Sequence, residues 1–374
     1  MIEPLGVGLV GAGGFGEFCS AAFQEMREVR LIAVADVVRE RAARCAPPGA
    51  QVYADYAALL ANPAVDIVAI NTPPHLHAAM AVEAAEAGKH LFVEKPLATA
   101  MLDGVAAVRA ARRAGVLLTI DYVLRFHPLH SLAAEIVASG ALGPLQHWSL
   151  ENFATDEPLL PGHWFWDPAQ SGGIHVEHGV HFIDLCNQMV GRAPDMAGGT
   201  AQQRPDGRVD RVSATARYGE DVLATFFHSF TQIRSIERTT IRVNCARGQL
   251  TLEGWIPTRL RLSGLTDPGG LDALRRILGE ALHVERRFAG DEAQMDHGGA
   301  TETITAAVAA TINAPDRQGE YKRAIQAAMR NLAGAVRGTE ALRVTPEDGL
   351  ASLAVALAAT HNPAGGLLPA WQLD

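Results

Sequence analysis

The chain has 374 residues, 48% of them hydrophobic and 20% charged, which suffices for two cores, since single cores stop growing at roughly 250 to 300 residues; the composition excludes a disordered chain or a fibrous repeat. A formal net charge of -9 argues against a nucleic-acid partner, which needs a concentrated basic surface, and no window approaches the roughly 18 uninterrupted apolar residues of a membrane span. Four scattered cysteines without C-x-x-C pairing and a Met1-Ile2-Glu3-Pro4 start without signal-peptide character predict a protein of the reducing cytoplasm.

From Leu5 to about Ile120 short β-branched runs alternate with Ala-rich helical stretches, the pattern of parallel strands joined by crossover helices. Strands are predicted over 5–10, 30–35, 65–70, 90–93 and 116–120, and helices over 15–26, 39–45, 77–87 and 99–114. The first strand runs into Gly11-Ala12-Gly13-Gly14-Phe15-Gly16, a G-x-G-x-x-G between strand and helix. Gly11 permits the tight turn, Gly13 lets backbone approach a pyrophosphate, and Gly16 allows helix and strand to pack closely. Asp36 closes the second strand near the roughly 20-residue offset at which an acid binds the adenosine ribose. It favours NAD over NADP, although Arg39 is placed to cover a 2′-phosphate.

After Arg125 the pattern changes. A helix over 128–139 leads into strands that follow one another without helices between them: 145–153, 209–218, 222–230, 239–244, 249–253 and 259–262. Turns at Gly219-Glu220-Asp221 and Arg247-Gly248 imply hairpins, hence a largely antiparallel sheet. Helices are predicted over 174–190, 321–336 and 346–360, the last capped by Thr345-Pro346-Glu347-Asp348. Residues 264–300 give no clear pattern. The expectation is an α/β protein with a Rossmann domain over 1–125 and an α+β domain with an open, mainly antiparallel sheet over 126–374, the final helix packing back on the first domain.

Three further segments carry a family resemblance. Asn71-Thr72-Pro73-Pro74-His75-Leu76-His77, Val93-Glu94-Lys95-Pro96-Leu97 and Ser171-Gly172-Gly173-Ile174-His175-Val176-Glu177-His178-Gly179-Val180-His181-Phe182-Ile183-Asp184 resemble the motifs of the Gfo/Idh/MocA oxidoreductases. The resemblance implies hydride transfer between NAD(P) and sugars, cyclitols or related alcohols, and homodimers or homotetramers built through the open sheet. It implies that Asn71, Thr72, Pro73, His77 and Glu94 meet the cofactor and that Lys95-Pro96 is a cis peptide aiming the lysine inward. It further implies that His181 is the general base and Lys95 the group that orients the hydroxyl or stabilises a developing alkoxide.

On a helix, Glu177, His181 and Asp184 share one face. Glu177 stands where the family usually has Asp, and it is expected to contact substrate or orient His181. His178 joins it as a substrate candidate. The set His175, Glu177, His178 and His181 also has metal-ligand types, but hydride transfer needs no metal and none is expected. Arg125 matches a family arginine near cofactor or substrate, with an interdomain salt bridge the equal alternative. Trp164 and Trp166 either line the sugar site, cover the cofactor or pack a core. The leading reading is a sugar or cyclitol dehydrogenase. An NAD-dependent glycosidase or lyase working through transient oxidation is the second. A non-catalytic NAD and sugar sensor is the third, disfavoured because it has no need of an acid–base pair.

Overall fold

The computed structural model describes residues 3–297, 299–362, 364–368 and 373. The first unit alternates β1 (Leu5–Val10), α1 (Gly14–Gln24), β2 (Val29–Ala35), α2 (Arg39–Cys45), β3 (Gln51–Tyr53), α3 (Tyr56–Leu60), β4 (Ile67–Ile70), α4 (Pro74–Glu86), β5 (His90–Val93), α5 (Met101–Ala114) and β6 (Leu118–Ile120). All six strands are parallel in the order β3-β2-β1-β4-β5-β6. Their near-continuous apolar runs follow from burial under helices on both faces. Strand order reverses between β1 and β4, and a doubly wound sheet opens its ligand crevice at that point. Three-residue β3 and five-residue α3 escaped the sequence reading because neither is long enough to show a period.

The second unit holds α6 (Pro128–Ala138), β7 (Leu145–Thr155), α7 (Pro168–Ser171), a π-helical turn over His175–Gly179, α8 (Val180–Val190), β8 (Met196–Gln203), β9 (Val209–Tyr218), β10 (Val222–Gln232), β11 (Arg238–Cys245), β12 (Gly248–Glu253) and β13 (Arg259–Thr266). It continues with α9 (Pro268–Leu278), β14 (Leu282–Arg287), β15 (Gln294–His297), β16 (Ala300–Thr303), β17 (Ala306–Asn313), α10 (Arg317–Val336), α11 (Pro346–His361) and β18 (Gly366–Leu367). Ten strands form one sheet in the order β14-β17-β13-β12-β11-β7-β10-β9-β8-β18, every pairing antiparallel except β7 with β10.

Several departures from expectation have physical reasons. The unread stretch 264–300 contains α9, whose buried Leu271, Leu274 and Leu278 keep a helical spacing after the Asp267 cap, and then short polar strands that carry no alternation. β8, Met-Ala-Gly-Gly-Thr-Ala-Gln-Gln, was missed because Gly and Ala give a strand little β propensity. The helix over 174–190 is regular only from Val180 onward. Both late helices reach the first unit: Tyr321 of α10 stacks on Phe18 of α1 at 5.0 Å, and Leu350 and Leu353 of α11 press on Gly104 of α5.

Candidate active site

The glycine loop forms one wall of a cleft at the β1/β4 reversal. Gly11 has φ +87°, and a Cβ on Gly16 would lie 1.9 Å from the Gly11 carbonyl, so neither position tolerates a side chain. A Cβ on Gly13 or Gly14 would meet nothing within 4 Å, which leaves their backbone bare to the cleft. No side chain caps α1, so its first N–H groups are free to receive an anion. Asp36 accepts hydrogen bonds from the backbone N–H of Ala12 and of Val38, each 2.8 Å, and thereby fixes the loop while facing the cleft. Gly11, Gly13, Gly14, Phe15, Asp36, Asn71, Thr72, Pro73 and Trp164 line this cleft of about 520 Å³. Its size, bare glycines and carboxylate fit an adenine dinucleotide.

Two expected cofactor contacts are otherwise engaged. Arg39 donates to the Val52 carbonyl at 3.3 Å, and Arg41 is the arginine on the cleft wall. His77 is fully buried, its ring nitrogens 2.7 Å from the carbonyl oxygens of Pro96 and Thr72. It ties the two loops together. Glu94 and Asp121 follow the paired strand ends Val93 and Ile120. Burial pushes the Glu94 carboxyl up to about 7, and burial together with the Glu94 charge holds Asp121 well above the ordinary carboxylate range.

At the end of β5 the Lys95–Pro96 peptide is cis. Lys95 Nζ donates to Glu177 Oε1 at 2.6 Å and to the Glu177 carbonyl at 2.8 Å. Burial works against both charges, but their mutual attraction outweighs it, holding the Lys95 ammonium above and the Glu177 carboxyl below their ordinary ranges. His181 is 4% exposed. Burial, then the charge of Lys95, then His178 drive its basicity well below that of a free imidazole.

The π-helical turn explains how these groups meet. A wider turn holds more residues per revolution than an α-helix, so the residues after Gly173 are not distributed as a regular helix would place them. His178, a substrate candidate from the sequence, stands 6.4 Å ring to ring from His181, and His175 lies 6.2 Å from His228. Asp184 turns the other way: it takes a bidentate contact from Arg125 at 2.5 and 2.6 Å, and Asp348 of α11 joins at 3.0 Å. Arg125 thus forms a salt bridge between the units. Trp166 donates to the Leu159 carbonyl at 2.9 Å and packs edge-on to Phe165 and Phe230. Among the described residues no group of three or more His, Cys, Asp or Glu could hold a metal ion.

The sequence reading missed several side chains packed around His178 and His181. Trp255, in the turn after β12, lies edge-on to His181 at 5.7 Å and to Tyr321 at 5.1 Å; nothing near either residue in the sequence marks them. Asn152 and His228 did leave a signal. Each is a polar residue at a buried position of an alternating strand, beside Trp148 and Leu150 on β7 and beside Ala224 and Phe226 on β10. A polar group on the core parity calls for a functional or hydrogen-bonding reason. Asn152 accepts from Thr239 at 2.8 Å and lies 3.4 Å from His178 Nε2.

Residues 5–122 match the family described as an oxidoreductase family with an NAD-binding Rossmann fold, and residues 130–251 match the GFO/IDH/MocA C-terminal domain. D-xylose 1-dehydrogenase (NADP(+)) 2 of Haloferax volcanii is 34% identical over 236 residues, 60% of this chain and 69% of that protein. Levoglucosan dehydrogenase of Pseudarthrobacter phenanthrenivorans is 30% identical over 204 residues, a match spanning 51% of this chain and about half of that enzyme's length, 52%. A solved levoglucosan dehydrogenase in complex with NADH and levoglucosan superposes with TM-score 0.78 at 20% identity, covering 98% of this chain and 100% of that one, a likeness of fold.

Proposed function

The chain belongs to the Gfo/Idh/MocA oxidoreductase family, and from that premise we propose that it moves hydride between NAD and a secondary hydroxyl of an uncharged sugar, cyclitol or sugar derivative. The observation that carries this reading is the convergence of Lys95, Glu177 and His181, one group from the Rossmann unit and two from the π-helical turn and α8, with Lys95 and Glu177 joined at 2.6 Å. An NAD bound in the cleft supplies the hydride acceptor. His181, neutral at physiological pH, takes the hydroxyl proton. Lys95 donates to the same oxygen and offsets the negative charge that develops there. Glu177 holds Lys95 in place through its carboxylate and its carbonyl. Because Lys95 already carries this counter-ion, an uncharged polyol suits it better than an acidic one. Trp255 and Tyr321 offer ring faces to the C–H face of a sugar and keep water from the reacting atoms.

The test is NADH formation with NAD and a panel of levoglucosan, D-xylose, scyllo-inositol and myo-inositol. Lys95- and His181-dependent reduction of NAD by one of them supports the reading; no reduction by any neutral polyol overturns it.

Asp36 sets the cofactor preference. Asp36→Asn keeps an acceptor for Ala12 N–H but removes the charge that a ribose diol prefers. The expected result is NAD affinity weakened about tenfold and NADP affinity improved, followed by quenching of protein fluorescence on titration. Unchanged discrimination would show that Arg41 or the loop backbone decides the preference.

A further inference from the structure

The buried imidazoles continue past the reacting one. Ring centroids are 6.4 Å apart from His181 to His178, 5.4 Å from His178 to His228 on β10, and 6.2 Å from His228 to His175. Imidazoles in direct N–H···N contact have centroids about 5 Å apart, so each step needs only a modest ring movement. His175 is 2% exposed and His228 0%, and both nitrogens of each, with Nδ1 of His181, have no hydrogen-bond partner among the described residues. Buried polar atoms are normally paired, so this concentration along one line calls for a reason.

The line has an exit. His175 lines a second cavity of about 570 Å³ whose wall includes exposed Asp206, Thr360 and His361. It also has a gap kept open by glycine: a Cβ at Gly179 would stand 3.5 Å from His228 Nε2 and 3.7 Å from His175 Nδ1. Both nitrogens therefore border the space that a side chain at Gly179 would fill.

We propose that His178, His228 and His175 form a proton relay that carries the proton taken by His181 through the core to the cavity beside His175. The proposal rests on the dehydrogenase reading of His181. Oxidation of a CH–OH group sends hydride to the nicotinamide and leaves one proton, which passes from the hydroxyl oxygen to His181. Each imidazole then accepts a proton on one nitrogen and releases another from its second, so the rings return to neutral and the balance is one proton delivered outside per hydride transferred. Trp255 packs edge-on against His181, and in turnover the substrate covers it as well. Burial also disfavours an imidazolium at each of the four rings, so a proton does not rest on the path.

Gly179→Ala is the sharpest test, because the added methyl makes only ordinary contacts with both rings and alanine suits a helix, yet it places carbon against both nitrogens. His228→Asn is the second variant. In stopped flow with NAD, levoglucosan or scyllo-inositol, and a pH-indicator dye, proton release and NADH formation are expected to coincide in the native chain. In both variants proton release should lag by about tenfold and recover on addition of imidazole buffer, with KM for the sugar unchanged. Coincident traces in the variants overturn the relay. Imidazole 1H–15N spectra of the full chain give a readout that needs no substrate: His175 and His228 N–H protons should exchange with solvent faster in the native protein than in Gly179→Ala. Equal exchange overturns the relay by itself, whereas failure of every polyol to reduce NAD overturns the dehydrogenase reading instead.

Discussion

Replacing His181 by Ala is expected to lower kcat by roughly 10³-fold while leaving NAD affinity within about twofold, because a general base contributes roughly 10² to 10⁴ to proton transfer and His181 is not among the residues lining the dinucleotide cleft. Lys95→Met should cost a similar factor in kcat/KM through two losses at once: the donor to the developing alkoxide, and the partner that keeps Glu177 ionised in a buried place. Steady-state kinetics beside cofactor titration separates these outcomes from a binding defect. The pH profile adds a check with a defined sign. Burial, Lys95 and His178 hold His181 well below its ordinary range, so it remains an unprotonated base at pH values where a free imidazole would be protonated. The acid limb of kcat/KM should therefore fall clearly below pH 6.5, the unperturbed value. A limb at or above that value would assign the base to another group.

The second large effect is on stability. Arg125→Met leaves Asp184, 1% exposed, without its bidentate partner and leaves Asp348 short of one contact. Removing one member of a buried pair typically costs about 3 to 5 kcal/mol, enough to lower a thermal midpoint by on the order of ten degrees. Burial alone would discourage the Arg125 charge, but Asp184 and Asp348 more than offset it, so the guanidinium stays charged. Because Arg125 precedes α6, Asp184 sits on α8 and Asp348 on α11, the variant should loosen the contact between the two units. Adding Asp184→Asn to Arg125→Met should recover part of the loss, since it removes a buried carboxyl that burial already pushes up to about 7 beside Arg125 and that has lost its bidentate partner in the single variant. Melts of the two single variants and the double variant measure this coupling. Strictly additive losses would mean that Arg125 acts only by packing.

The two halves of the site were not equally legible in the sequence. The cofactor loop could be read almost residue by residue because its chemistry is local: a strand, a turn that demands glycine and a helix start are contiguous in the chain, and Asp36 follows at the distance one βαβ unit imposes. Lys95 and His181 were named from the resemblance of their segments, each again a contiguous motif. Arg125 shows the limit of that approach. A motif can say that an arginine stands after the last parallel strand, but its choice between ligand and salt bridge depends on Asp184 and Asp348, which lie 59 and 223 positions further along the chain.

What the sequence determined by itself is whatever is enforced by local periodicity and backbone geometry: the doubly wound sheet, the hairpins of the second sheet, the capped final helix and the glycine loop. Only the tertiary structure decided what surrounds the reacting groups. Trp255 comes edge-on to His181 from a strand turn, and Tyr321 of α10 packs against Trp255 and against Phe18 of α1, three segments far apart in the chain. A π-helical turn rather than an α-helix sets which way His175 and His178 face, toward His228 and Phe230 of β10, because an extra residue in one turn redirects the side chains after it.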